Sequence, residues 1–208
     1  IAAKYIVNLL EDKDDKVQWY AIKALRGFSS YTPGIKKIKA IIKDKSQSLA
    51  NRREAVVTLG EIGTVRETSF LLSIVRFNKD LDLRANALSS LGVIGDANVS
   101  LRLVKFLNDD DATIREISAT ILGNFNYPNA IDKLIRLVNR DKKIRVRIAS
   151  VNALSRMKIR IPHITTQLLK SFKKQTNMEV KKQIKITLKR FLPELPMKLR
   201  SEVKTVLN

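Results

Sequence analysis

Basic side chains are the group whose type and spacing in this chain fit a chemistry, and that chemistry is the holding of anions. Lys142, Lys143, Arg145 and Arg147 crowd the start of an expected helix, behind a single capping acid, Asp141. Positive charge at a helix N-terminus opposes the macrodipole by about 0.3–1 kcal/mol per group, so one aspartate offsets only part of it. The same crowding suits an oxyanion, which would meet free backbone N–H groups and cationic side chains together. Lys173, Lys174, Lys181, Lys182 and Lys185 follow about thirty residues further on, where they would share an edge with the first cluster. The candidate anion-binding residues are therefore Lys142, Lys143, Arg145, Lys173, Lys174, Lys181 and Lys182.

Other chemistries find little support. The one histidine, His163, follows Pro162 at the start of a helix, where a capping or surface role is expected. No Ser-His-Asp set, zinc motif or P-loop is present. Asp109-Asp110-Asp111 begins like a cation loop but lacks the alternating spacing and distal glutamate of a calcium site. Capping of the helix behind it explains those acids, and no metal or cofactor is expected. Gly60-Glu-Ile-Gly63 and Gly92-Val-Ile-Gly95 end helices and are followed by no Lys-Ser/Thr, so they read as C-caps rather than phosphate clamps.

The elements that would position these residues come from one stretch, Asp80 to Gly95. There Leu83, Ala87, Leu88, Leu91 and Ile94 fall at helical spacing, and Gly92 and Gly95 are expected to stop the helix. With Leu91 as anchor, Leu25, Leu59, Leu122, Leu154 and Leu188 match it at spacings of 34, 32, 31, 32 and 34 residues. Four positions earlier stand Ala21, Ala55, Ala87, Ser118, Ser150 and Ile184, mostly small, as a close helix approach requires. Eight positions earlier stand Val17, Asn51, Leu83, Ile114, Val146 and Val180, with Asn51 the polar exception. A second apolar helix precedes each anchored one, marked for example by Ile35, Ile38, Ile41 and Ile42, and by Leu101, Val104, Phe106 and Leu107. Each unit is thus helix A, a turn, and helix B carrying the anchor. A period near 32 with this agreement specifies a helical solenoid, because no unit buries its stripe alone.

The units resemble HEAT repeats, specifically the short bacterial kind of phycobilin-lyase-type proteins. Arg84-Ala-Asn-Ala-Leu-Ser-Ser-Leu-Gly-Val-Ile-Gly-Asp96 and Arg52-Arg-Glu-Ala-Val-Val-Thr-Leu-Gly-Glu-Ile-Gly63 carry the resemblance. It implies an all-α, right-handed α-solenoid of about six helix pairs with a C-terminal capping helix. One domain over 1–208 is expected, with units near 1–29, 34–63, 65–95, 97–126, 128–158 and 161–192 and a cap over 196–207. The chain begins at Ile1 inside a first helix A, so it reads as a fragment of a longer protein. The resemblance also bears on Gln18, Arg52, Arg84, Arg115, Arg147 and Lys181, seven positions before each anchor. In similar proteins that arginine pairs with an acid or carbonyl of the adjacent turn, so a structural ladder is expected rather than a phosphate track. HEAT-like alkylpurine glycosylases need groove aromatics, and here the sole tryptophan, Trp19, lies far from the basic end. Catalysis is not carried over, and no enzyme is expected.

Charge adds the last constraint. The net charge is +20; residues 129–208 hold 21 Lys/Arg against 5 Asp/Glu, whereas residues 1–128 hold 19 against 15. Such a field attracts nucleic acid, anionic lipid or an acidic protein. There is no cysteine, so disulfides are excluded, and no apolar run approaches a membrane span. The expected function is a protein-interaction scaffold, with Trp19, Lys23, Val57, Ile148 and Ile186 on a concave B-helix face. Its partner is a protein, acidic if the basic end takes part. Nucleic-acid or anionic-surface binding through the basic C-terminal units is the alternative.

Overall fold

The computed structural model describes residues 2–29 and 31–207. Ile1, Ser30 and Asn208, which the expected domain and the turn over 29–34 include, lie outside them. The described residues are helical with no strand, and they divide into two compact units, Ile1–Asp96 and Ala97–Asn208.

The first unit holds three helix pairs: α1 (Ala2–Leu9) with α2 (Asp15–Ala24), α3 (Thr32–Lys43) with α4 (Leu49–Ile62), and α5 (Thr68–Phe77) with α6 (Leu81–Ile94). The B helix α4 packs on α2, α3 and α6, which makes it the centre of the unit. Leu25, Leu59 and Leu91 are all buried along this line, together with Ala21, Ala55 and Ala87 four residues before them.

The second unit repeats the plan. A short α7 (Ser100–Leu103) precedes α8 (Ala112–Asn124); α9 (Ile131–Arg140) pairs with α10 (Ile144–Arg156), and α11 (Ile161–Lys174) with α12 (Met178–Phe191). The last helix, α13 (Met197–Leu207), closes the end against α11 and α12, with Val203 buried. Leu122, Leu154 and Leu188 are fully buried, as are Ser118, Ser150 and Ile184.

The B helices start alike, for a reason that also lies on the repeat. Eleven residues before the anchors stand Asp14, Ser48, Asp80, Asp111, Lys143 and Asn177, and each is an N-cap. All but Lys143 accept a backbone N–H of the first turn, as Asp111 does from Thr113 at 2.6 Å.

Several expectations need correction. Gly60 and Gly92 do not end their helices but lie inside α4 and α6; only Gly95 caps in the left-handed conformation, at φ 74°. Gly63 does cap α4, with φ −75°, a conformation open to any residue. Gly60 is glycine because α6 comes too close for a side chain. Asp141 is not the N-cap of α10; Lys143 is, and the aspartate is turned to another partner. In the fourth unit, Leu101 is exposed and Leu103 takes its place in the core, because 3₁₀ turns over 97–99 and 104–108 flank α7 and rotate the stripe.

Candidate functional site

The arginine column forms a ladder of internal bonds. Arg52 Nε donates to the carbonyl of Ile42 at 3.1 Å, Arg84 Nε to that of Val75 at 2.8 Å, and Arg147 Nε to that of Val138 at 3.0 Å. Each acceptor is one of the last carbonyls of the preceding helix A, which have no partner inside their own helix. Gln18 replaces arginine at the first position, and its Nε2 donates to the carbonyl of Asp12 at 2.7 Å. Its Oε1 accepts from Asn51 Nδ2 at 3.1 Å. The two polar exceptions of the repeat thus satisfy each other, which is what allows Asn51 to be buried.

Arg115 makes the strongest version. Its Nε and Nη2 grip Asp141 at 2.7 and 2.9 Å, while Nη1 donates to the carbonyls of Asp109 and Asp110. Burial pushes the Asp141 carboxyl up, but the Arg115 hydrogen bond and the Lys143 backbone N–H outweigh it and hold the group below its ordinary range. In the first unit, Arg53 Nε and Nη2 grip Asp80 at 3.2 and 2.6 Å, and that bond is the main cause holding the Asp80 carboxyl low.

The expected anion set splits. Lys142, Lys143, Lys173, Lys174 and Lys182 are exposed, and none has a carboxylate within ion-pair reach. Arg145 is instead engaged by Glu116 and by Thr113 Oγ1, and half-buried Lys181 lies over the Phe172 ring at 5.3 Å. Arg140 and Lys170, absent from the set, lie with Lys174 beside Arg147. Their positions in sequence give them away only once the ends of α9 and α11 are seen to meet.

Of the expected partner-binding residues, Trp19, Lys23 and Val57 lie on α2 and α4 in the first unit. Lys23 Nζ stands 4.3 Å over the Trp19 ring, and Tyr20 meets that ring edge-on at 5.1 Å while itself 67 % exposed. Ile148 and Ile186 lie on α10 and α12 in the second unit; Ile186 is exposed and Ile148 half-buried. Asp111 caps α8, and Asp109 Oδ1 accepts the Asp111 N–H. His163 Nε2 stands 3.6 Å from Asp132 Oδ1 on the surface. Among the described residues no three His, Cys, Asp or Glu converge on a metal position. No helix among them is long and apolar enough to cross a membrane.

Known proteins bear on this arrangement in three ways. A family model described as HEAT repeats matches residues 3–92 and 99–189. No curated protein sequence matches the chain. Among solved structures, the complex of CpcE and CpcF of phycocyanin lyase from Nostoc sp. PCC7120 is similar with a TM-score of 0.63 at 16% identity, covering 100% of this chain and 94% of that one. YibA of Escherichia coli gives 0.64 at 15% identity over 99% of this chain and 81% of its own. A designed armadillo repeat protein in complex with the peptide (KR)4 gives 0.57 at 16% identity, over 90% and 98%. At such identities the likeness is one of fold.

Proposed function

The chain belongs to the HEAT-repeat family, and from that premise we propose that it is a non-catalytic scaffold that takes a protein partner on the faces of its B helices. Such repeats form an armadillo-like helical scaffold whose surface is presented by stacked units. The observation that carries the reading is the aromatic group on α2. Tyr20 is exposed, Trp19 is half-buried, and Lys23 lies against the indole face. Amphipathic rings held by their neighbours are the side chains that dominate binding energy at interfaces. Val57 beside them, and Ile148 and Ile186 in the second unit, extend the apolar contact available.

The test uses the intact chain and one carrying Trp19→Ala with Lys23→Glu, both checked for folding by circular dichroism. Each is immobilised and presented with nuclease-treated extract of the source cells. A protein retained in stoichiometric amount by the parent and lost from the variant supports the reading. Recovery of the same proteins on both overturns it.

A second reading, binding to a nucleic-acid backbone, is favoured by the five exposed lysines 142, 143, 173, 174 and 182, none of them neutralised by an acid. Phosphate contacts of this kind need no base stacking and release counterions.

A further inference from the structure

A cleft of about 360 Å³ opens in the second unit, where the last turn of α9, Arg147 of α10 and the final turns of α11 meet. That volume falls at the low end of small-ligand pockets, about 300–1,000 Å³. Its wall carries Arg140, Arg147, Lys170 and Lys174 and no aspartate or glutamate. Ser171 and Gln175, both buried, complete it.

The same niche recurs elsewhere, and the comparison isolates what is unusual. Around Arg115 the wall also holds Arg136, Arg140 and Lys142, but Asp109, Asp110, Asp111 and Asp141 balance them. Around Gln18 in the first unit, Lys37 is paired with Glu11, and Asp44 stands in the wall. Asp141, which neutralises Arg115, is the C-cap residue of α9; the C-cap residue of α11 is the neutral Gln175. Helix dipoles favour cations at the ends of α9 and α11. They act equally around Arg115, where acids are nevertheless present.

Free donors remain in the cleft. The Gln175 Oε1 accepts from Arg147 Nη2 and from the Asn177 N–H at 3.1 Å, which fixes the amide and leaves its Nε2 without a protein acceptor. Arg147 Nε is engaged by Val138, and its Nη1 has no protein partner among the described residues. Arg140, Lys170 and Lys174 have no carboxylate within ion-pair reach.

We propose that this cleft binds a phosphate group, free or as a small-molecule ester, with Arg147 Nη1, Gln175 Nε2 and the Lys170 and Lys174 ammonium groups as donors. One carboxylate would leave most of four cations unmet; a phosphate monoester brings close to two charges near pH 7 and three strong acceptors. The planar guanidinium supplies direction and the lysines point charge. The site is separate from the lysines at the start of α10 and does not depend on which macromolecule the chain binds.

The experiment is calorimetric titration of the whole chain with inorganic phosphate and with glycerol phosphate, at constant ionic strength set by chloride. Saturable one-to-one binding is expected, weakened about tenfold or more by Lys170→Gln with Lys174→Gln, as loss of two charge-assisted donors implies. Gln175→Asp rebuilds beside Arg147 the pair that Arg115 makes with Asp141, so it should keep the fold and abolish binding. Lys142→Gln with Lys143→Gln should change nothing. Tighter binding of the ester identifies an ester as the ligand, equal binding the free ion, and both support the site. No saturable binding to the parent overturns the proposal. So does binding that survives both the paired lysine variant and Gln175→Asp.

Discussion

Gly60 of α4 and Ser90 of α6 meet so closely that a methyl group on the glycine would lie 2.5 Å from the serine Cβ. The relationship returns in the second unit, where a methyl on Gly123 of α8 would lie 2.6 Å from the Cα of Ala153 of α10. At these two points neighbouring B helices touch almost backbone to backbone, and the spacing of the repeat depends on the missing side chain.

Gly60→Ala therefore reverses the usual sign. In an open helix interior the change gains about 1 kcal/mol. Here overpacking should cost about 1–3 kcal/mol, read from denaturant melts. Gly27→Ala is the control, because nothing lies within 4 Å of its new methyl, and it should be neutral or stabilising. A stabilised Gly60→Ala protein would show that the two helices do not meet there.

Leu91→Ala tests the repeat register. The side chain is 1% exposed in the middle of the first unit's core, and truncation there should cost about 2–5 kcal/mol. A loss below about 0.5 kcal/mol, the scale of surface substitutions, would place Leu91 outside the core.

Acid should loosen the second unit through Asp141. Its carboxyl is held low in the folded chain, so the charged form is the one that folding favours. That contribution is present above the unfolded-state value of about 3.9 and is lost as pH falls through the lower folded value. Asp141→Asn should flatten the acid limb of stability between pH 5 and pH 2, as such a carboxylate would. It should also weaken the protein at pH 7, by less than the roughly 3–5 kcal/mol of a fully buried broken pair. Arg115 keeps two carbonyl acceptors, which limits the loss. Thermal melts across this range check both effects, and an unchanged acid limb would exclude Asp141 as its source.

Nucleic-acid binding has its own signature. With about four of the five free lysines on phosphates, log affinity for a generic 20-mer duplex should fall with log salt at a slope near −4. Lys173→Glu with Lys174→Glu should flatten it by up to about 2. Affinity weaker than about 100 μM even at low salt, against a non-specific norm of 10⁻⁴–10⁻⁶ M at physiological salt, rejects that reading.

The repeat was legible because burial by stacking demands the same class of residue at every period. Leu25, Leu59, Leu91, Leu122, Leu154 and Leu188 state the requirement six times over, and all six are buried. The internal role of the arginine column was legible for the same reason. The N-cap column from Asp14 to Asn177 was equally present in the chain and could have been found by stepping back eleven residues from each anchor.

What the sequence by itself determined, then, is everything that follows from a residue and its neighbours along one helix: the helices, their buried stripes and their caps. Three matters were decided only when distant turns were brought together. Gly60 and Gly95 belong to the same local pattern, yet α6 makes one a contact and the chain's own turn makes the other a cap. Asp141 reads as the cap of the helix it precedes, but Arg115, 26 residues earlier, holds its carboxylate. Arg147 and Gln175, 28 residues apart, meet only because α9 and α11 end side by side, and that meeting leaves a positive cleft unbalanced. Local propensity acts over a turn or two of helix, whereas the neutralisation of a charge depends on whatever folding places within a few ångströms of it.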